Sequence, residues 1–151
     1  MKNPEHVLRR SVVIDRPLHD VFEFFSNAGN LARITPPELG FQILTPTPIV
    51  MRAGTLIDYR LSLFGLPVAW RTEITRWEPP HQFVDTQLRG PYAQWIHRHS
   101  FRSAENGTVV EDEVRYRLPI PLLGLVGYPV IRLQLNRIFN YRTSAIRRYF
   151  R

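Results

Sequence analysis

A chain of 151 residues, 44% of them hydrophobic, is the size of one domain and can close a core without staples. It holds no cysteine, which excludes a disulfide frame and thiolate chemistry. The formal net charge of +7 is almost wholly arginine, with Lys2 the single lysine. Those arginines are spread along the chain, the pattern of a solvated surface and not of a phosphate-binding run.

The first six residues lack the apolar run of a signal peptide, and no later stretch is long and apolar enough to span a bilayer. The expectation is a single soluble, cytoplasmic domain over 1–151. His6 to Ile14 alternates and is rich in Val and Ile, which predicts a first strand. Asp15 is a cap candidate, and Pro17 suits the first turn of a helix carrying Leu18, Val21, Phe22 and Phe25 at helical spacing. That helix ends near Ser26-Asn27, and a second, Ala28 to Ile34, is stopped by Thr35-Pro36-Pro37. Irregular chain follows to Met51, with a candidate strand at Phe41–Leu44.

From Thr55 the period changes to two. Ile57, Tyr59, Leu61 and Leu63 alternate with polar residues, and Gly65-Leu66-Pro67 turns the chain. Val68, Trp70, Thr72 and Ile74 repeat the alternation before Glu78-Pro79-Pro80. Strands at 82–88, 93–103 and 108–118 follow, the last two joined by the hairpin signal Asn106-Gly107. Five strands joined by short turns predict an antiparallel meander. Asp58, Arg60, Arg71, Glu73, Arg98, Glu111, Glu113, Arg115 and Arg117 form its outer face.

Register follows from requiring every apolar set to share one face. Symmetric pairing across the turns places Leu61 opposite Trp70, Ile74 opposite Asp85, Asp85 opposite His97, and His99 opposite Asp112. The inner face is then mostly apolar, with a polar patch of Asp85, Gln87, His97, His99 and Asp112. Tyr128 to Phe150 has the 3.6-residue stripe of a long helix lying on a core: Ile131, Leu135, Ile138, Phe139, Ala145, Ile146 and Tyr149. Arg142 sits near the centre of that stripe. A guanidinium there must snorkel out, find an acid or face a polar cavity. Laid over the sheet, the helix would bring Arg142 down onto the inner polar patch.

Particular strings carry a family resemblance. Phe83-Val84-Asp85-Thr86-Gln87, Gly90-Pro91-Tyr92 and Trp95-x-His97-x-His99-x-Phe101 resemble an SRPBCC-type domain of the START-like, helix-grip superfamily. So do Asp112-x-Val114-x-Tyr116 and Ile138-Phe139-Asn140-Tyr141-Arg142. The resemblance covers essentially the whole chain. It implies an α+β helix-grip fold: a curved seven-stranded antiparallel sheet wrapped around a long C-terminal helix, with two short helices after the first strand. It also implies a cavity between sheet and helix for a hydrophobic small molecule. Relatives include lipid carriers, polyketide aromatase/cyclases and coenzyme Q-binding proteins, so fold transfers further than function.

The chief expectation is a non-enzymatic binding module for a lipid, quinone or polyketide-like ligand, carried or presented in that cavity. Tyr59, Trp70, Trp95 and Tyr116 would line it, with Leu61 and Ile138 along the aliphatic part. Arg142, His97, His99, Gln87 and Tyr59 would meet the polar end. The alternative is a cyclase- or dehydratase-type enzyme using His97 or His99 with Asp85 or Asp112 for acid–base chemistry without a cofactor. Two histidines facing two acids resemble a metal site, yet a third strong ligand is wanting, and no metal is expected. Nucleophilic catalysis and nucleotide binding lack their motifs. Nucleic acid is not expected as a partner, because the aromatics lie on the buried side of the basic helix. The apolar connection 119–127 is a candidate gate, or a transient contact for a membrane or protein.

Overall fold

The computed structural model describes residues 3–119 and 121–151, with the side chains of 121–126 outside the description. Strand β1 (His6–Ile14) leads into α1 (Leu18–Ser26) and two 3-10 segments, Ala28–Ile34 and Pro37–Leu39. Strands β2 (Gln42–Ile43), β3 (Leu56–Leu63), β4 (Leu66–Glu78), β5 (Gln82–Arg89), β6 (Gln94–Ala104) and β7 (Gly107–Arg117) follow, and α2 (Pro121–Tyr149) closes the chain. The seven strands form one antiparallel sheet in the order β1-β7-β6-β5-β4-β3-β2. The meander is therefore extended by β1 on one edge and by the short β2 on the other.

Three of the four predicted cross-strand pairs are present: Ile74 with Asp85, Asp85 with His97, and His99 with Asp112. The fourth is displaced by two residues. Tyr59 pairs with Trp70 and Leu61 with Val68, because Phe64-Gly65 closes the hairpin between Leu63 and Leu66. Phe64 adopts φ 53° and Gly65 φ 78°, a two-residue turn of the primed kind in which a phenylalanine is unusual. A two-residue slip keeps every side chain on its own face, so the inner set survives the correction.

Asp15 does not cap α1. Arg16 N–H closes on the Ile14 carbonyl at 2.8 Å, which leaves Pro17 at the cap position without a side-chain acceptor. Asn27 does cap the next segment, accepting from Gly29 N–H at 2.9 Å. The stretch 119–127 is not a loop throughout, since α2 begins at Pro121, a residue suited to a helix's first turn. The expected gate or contact there falls largely on side chains outside the description.

The outer face carries ion pairs. Arg71 donates twice to Asp58, at 2.8 and 3.0 Å, and Glu113 accepts from Arg9, Arg98 and Arg115 at 3.1–3.2 Å. The inner face and α2 enclose two apolar clusters. One joins β1, α1 and the end of α2 through Ile14, Val21, Phe22, Phe101 and Ile146. The other joins β3, β4, β6 and β7 to the middle of α2 through Leu61, Trp70, Trp95, Val114, Leu135 and Phe139. Tyr149 departs from its expected burial: 49% of it is exposed, and its ring lies 4.3 Å from that of Phe24 beside the helix end. Arg137 of α2 is ion-paired to Glu38, fastening the helix to the 3-10 segment that ends at Leu39.

Candidate functional site

Arg142 is 6% exposed and lies one turn from Phe139 and one from Ile146, between the two apolar clusters. Its Nε–H donates to Asp112 Oδ2 at 3.1 Å and its Nη2 donates to Asp112 Oδ1 at 3.2 Å. The same Nη2 reaches His99 Nδ1 at 3.4 Å. His97 Nε2 lies 2.8 Å from Asp112 Oδ1, and His99 Nε2 lies 2.5 Å from Asp85 Oδ2. The two imidazoles are stacked at 3.7 Å, and Phe83 stacks on the other side of His99 at 4.2 Å. The cation on the helix and the acids and imidazoles on the sheet therefore form one buried cluster. They meet because β5, β6 and β7 are adjacent and His97 and His99 stand two apart on one strand face.

Charge states follow from the partners. Burial pushes the Asp112 carboxyl up, but the Arg142 guanidinium and the His97 hydrogen bond outweigh it and hold the group well below the usual carboxylate range. Asp85 is likewise pushed up by burial and held down more strongly by its His99 hydrogen bond and the charges around it. Burial, and secondarily the neighbouring His97, push His99 down to about 4. Ionised carboxylates accept only, so His97 and His99 each donate from Nε2. His99 Nδ1 then accepts from Arg142, while His97 Nδ1 lies 3.9 Å from Asp85 Oδ2, beyond hydrogen-bonding distance. Two carboxylates and one guanidinium contribute one net negative charge to the cluster.

A cavity of about 180 Å³ opens beside this cluster. Its sheet wall is Tyr59, Leu61, Trp70, Trp95, His97 and His99; Ile138, Phe139 and Arg142 face them from α2. Asp85 also lines it, whereas Asp112 lies behind the histidines. Two expected lining residues are placed elsewhere. Gln87 grips the β5–β6 turn, donating to the Tyr92 carbonyl at 2.7 Å and accepting from Tyr92 N–H at 3.2 Å. A register shift at Arg71/Thr72 accompanies this local arrangement. Tyr116 is buried behind the wall, its ring 5.9 Å from Tyr92 and 5.3 Å from His6. The far wall was not anticipated: Phe25, Leu31, Ile34, Phe41 and Met51 close it. The three-residue spacing of Leu31 and Ile34 was the available signal, but nothing in it says that the segment faces β3.

Asp85, His97 and His99 bring three ligand atoms within 4.8 Å of one another, a set that could hold a metal by proximity. The stacking works against it. Ring planes inclined by 27° at 3.7 Å send their in-plane lone pairs side by side instead of converging on one ion. Proton transfer makes no such demand on ring orientation.

The folding pattern recurs in solved structures. A START superfamily protein from Mycobacterium smegmatis superposes with TM-score 0.70 at 13% identity, covering 96% of this chain and 97% of that one. Protein Ms6760 from the same organism gives 0.69 at 15% identity, covering 95% and 89%. The ginseng major latex-like protein 151 from Panax ginseng gives 0.69 at 12%, covering 97% and 98%. At these identities the likeness is one of fold. No curated protein matches the sequence. The family described as polyketide cyclase / dehydrase and lipid transport matches residues 14–139, and with the helix-grip architecture this places the chain in that START-like family.

Proposed function

We propose that the cavity binds a small, mainly apolar carbonyl compound and that His97 acts on it as a general base, in a cyclisation or dehydration of the polyketide type. The supporting observation is the placement of His97. Its Nε2 is committed to Asp112, which Arg142 holds in place, and this leaves Nδ1 as the uncommitted nitrogen of a cavity-lining ring. A proton taken there offsets the net negative charge of two carboxylates and one guanidinium. The C–H electrons of the substrate pass into an enolate, and the imidazolium can return the proton to a departing hydroxyl, which leaves as water. A positioned base of this kind contributes about 10²–10⁴-fold.

Size supports a compact ligand. An engineered apolar cavity of ~150 Å³ takes up benzene, so about 180 Å³ suits one substituted ring and not a full isoprenoid or acyl tail. A pure carrier is the second reading, favoured by the apolar character of most of the lining. It would need only those walls and would leave the cluster a structural role.

Hydrogen–deuterium exchange separates the two. Acetophenone in D₂O, followed by NMR, should exchange its methyl protons faster with the protein than with buffer. His97→Gln should return the rate to that of buffer while the ketone still binds. Binding without accelerated exchange in the unaltered protein would leave the carrier; absence of binding would remove the cavity as a ligand site.

A further inference from the structure

The hairpin between β3 and β4 projects beyond its neighbours in the sheet. β2 pairs with β3 only at Tyr59 and Arg60, and β5 meets β4 from Arg71 onward, so the stretch 61–68 is two-stranded. At its tip Phe64 and Leu66 are 61% and 67% exposed. Phe64 also holds φ 53°, the left-handed region where a Cβ is crowded and asparagine or glycine is the usual occupant. The side chain neither fills a core nor suits its own backbone. A residue that costs conformational energy and leaves most of its apolar surface in water marks a contact surface.

The charge around the tip identifies what it meets. β3, β5 and β7 run in the same direction, which brings the β3–β4 hairpin, the β5–β6 turn and the start of α2 to one end of the sheet. The stretches 60–71, 87–96 and 114–132 at that end hold six arginines and no acidic residue. Arg71, Arg115 and Arg117 are paired with Asp58 and Glu5. Arg60, Arg89 and Arg132 are exposed and have no ion-pair partner among the described residues. The turns at the opposite end carry Asp15, Glu78 and Glu105.

We propose that the β3–β4 hairpin is a peripheral membrane contact: Phe64 and Leu66 enter the interface of an anionic bilayer, and Arg60, Arg89 and Arg132 meet its lipid phosphates. An anionic lipid surface supplies both halves of the match, apolar depth for the tip and negative charge for the residues around it. A second copy of the chain fits worse, because joining two tips would set the same unpaired arginines against one another. The contact is independent of the chemistry assigned to His97. Leu63, next to Phe64, lines the cavity, so docking by the tip sets the cavity wall beside a reservoir of apolar compounds.

Cosedimentation of the whole chain with lipid vesicles tests this. The protein should sediment with phosphatidylcholine vesicles containing about 30% phosphatidylglycerol, stay in solution with phosphatidylcholine alone, and be released by about 0.5 M salt. Phe64→Asn isolates the tip, because Asn-Gly is the pair this turn prefers. That variant should keep or raise the Tm yet bind the anionic vesicles about tenfold more weakly, the worth of one inserted aromatic side chain. Arg89→Gln should weaken binding about fivefold. Absence of binding to the anionic vesicles, equal binding to the neutral ones, or undiminished binding by Phe64→Asn would overturn the proposal. So would self-association abolished by Phe64→Asn without any vesicle binding, which would assign the tip to a second copy of the chain.

Discussion

Replacing Arg142 by leucine removes the one cation from a buried cluster that holds two carboxylates. Three interactions go with it: two hydrogen bonds to Asp112, at 3.1 and 3.2 Å, and one to His99 at 3.4 Å. The guanidinium also stands 5.3 Å over the ring of Phe25. Breaking one side of a buried ion pair typically costs about 3–5 kcal/mol, because the remaining charge is stranded without solvent. For a chain of this length that is a fall in Tm of roughly 10 °C. The deficit should depend on pH in a defined sense. In the unaltered protein Asp112 is held below its unfolded value, so its contribution is complete above about pH 5 and is lost only as the medium becomes strongly acidic. Without Arg142, burial is left to raise that carboxyl, and protonation relieves the stranded charge. The gap between the two proteins should therefore be largest near neutrality and narrow on acidification. Urea unfolding followed by tryptophan fluorescence from about pH 7 to 3.5 measures it. A gap under about 1 kcal/mol at neutral pH, or one that stays constant on acidification, would refute the assignment of Arg142 as the charge that compensates Asp112.

The other expectations are simpler. His99, pushed down to about 4, should show unshifted imidazole signals at pH 6; its stabilising effect is complete above about pH 6.5 and falls by roughly 3 kcal/mol as the pH drops through 4. An imidazole titrating near 6.5 would contradict its burial in the neutral form. Asp58→Ala breaks the best-formed ion pair of the outer face, yet both partners are 40% exposed, so the loss should stay at or below about 1 kcal/mol. A loss above about 2 kcal/mol in denaturant unfolding would mean that the outer ladder carries stability that solvent screening should deny it.

Much of this arrangement is legible in the sequence, for a physical reason. Asp85, His97, His99 and Asp112 fall on the inner positions of strands that are otherwise apolar there, and polar groups on such a face must find one another. Symmetric pairing across the turns, with every apolar set on one face, fixed three of the four cross-strand pairs. It could not fix the fourth, because Leu61, Val68, Tyr59 and Trp70 satisfy either of two pairings that differ by two residues. The choice was made by Phe64, whose left-handed backbone no phenylalanine advertises. The start of α2 was hidden for a related reason. Gly124, Gly127 and Pro129 each weaken a helix locally, so propensity argues against one there. Gln87 was misplaced because alternation assigns a face but cannot foresee a side chain turning back onto its own strand end.

Arg142 lies between two apolar groups on the same helix, Leu135–Phe139 before it and Ala145–Ile146 after it. Greasy surfaces alone would tolerate α2 sliding along the sheet, exchanging one leucine for another at little loss. A lone positive peg above a single negative socket does not: one turn in either direction would set aliphatic carbon against two naked carboxylates. The long helix thus has one berth, and the depth of the chamber beside it is set by where that peg drops home.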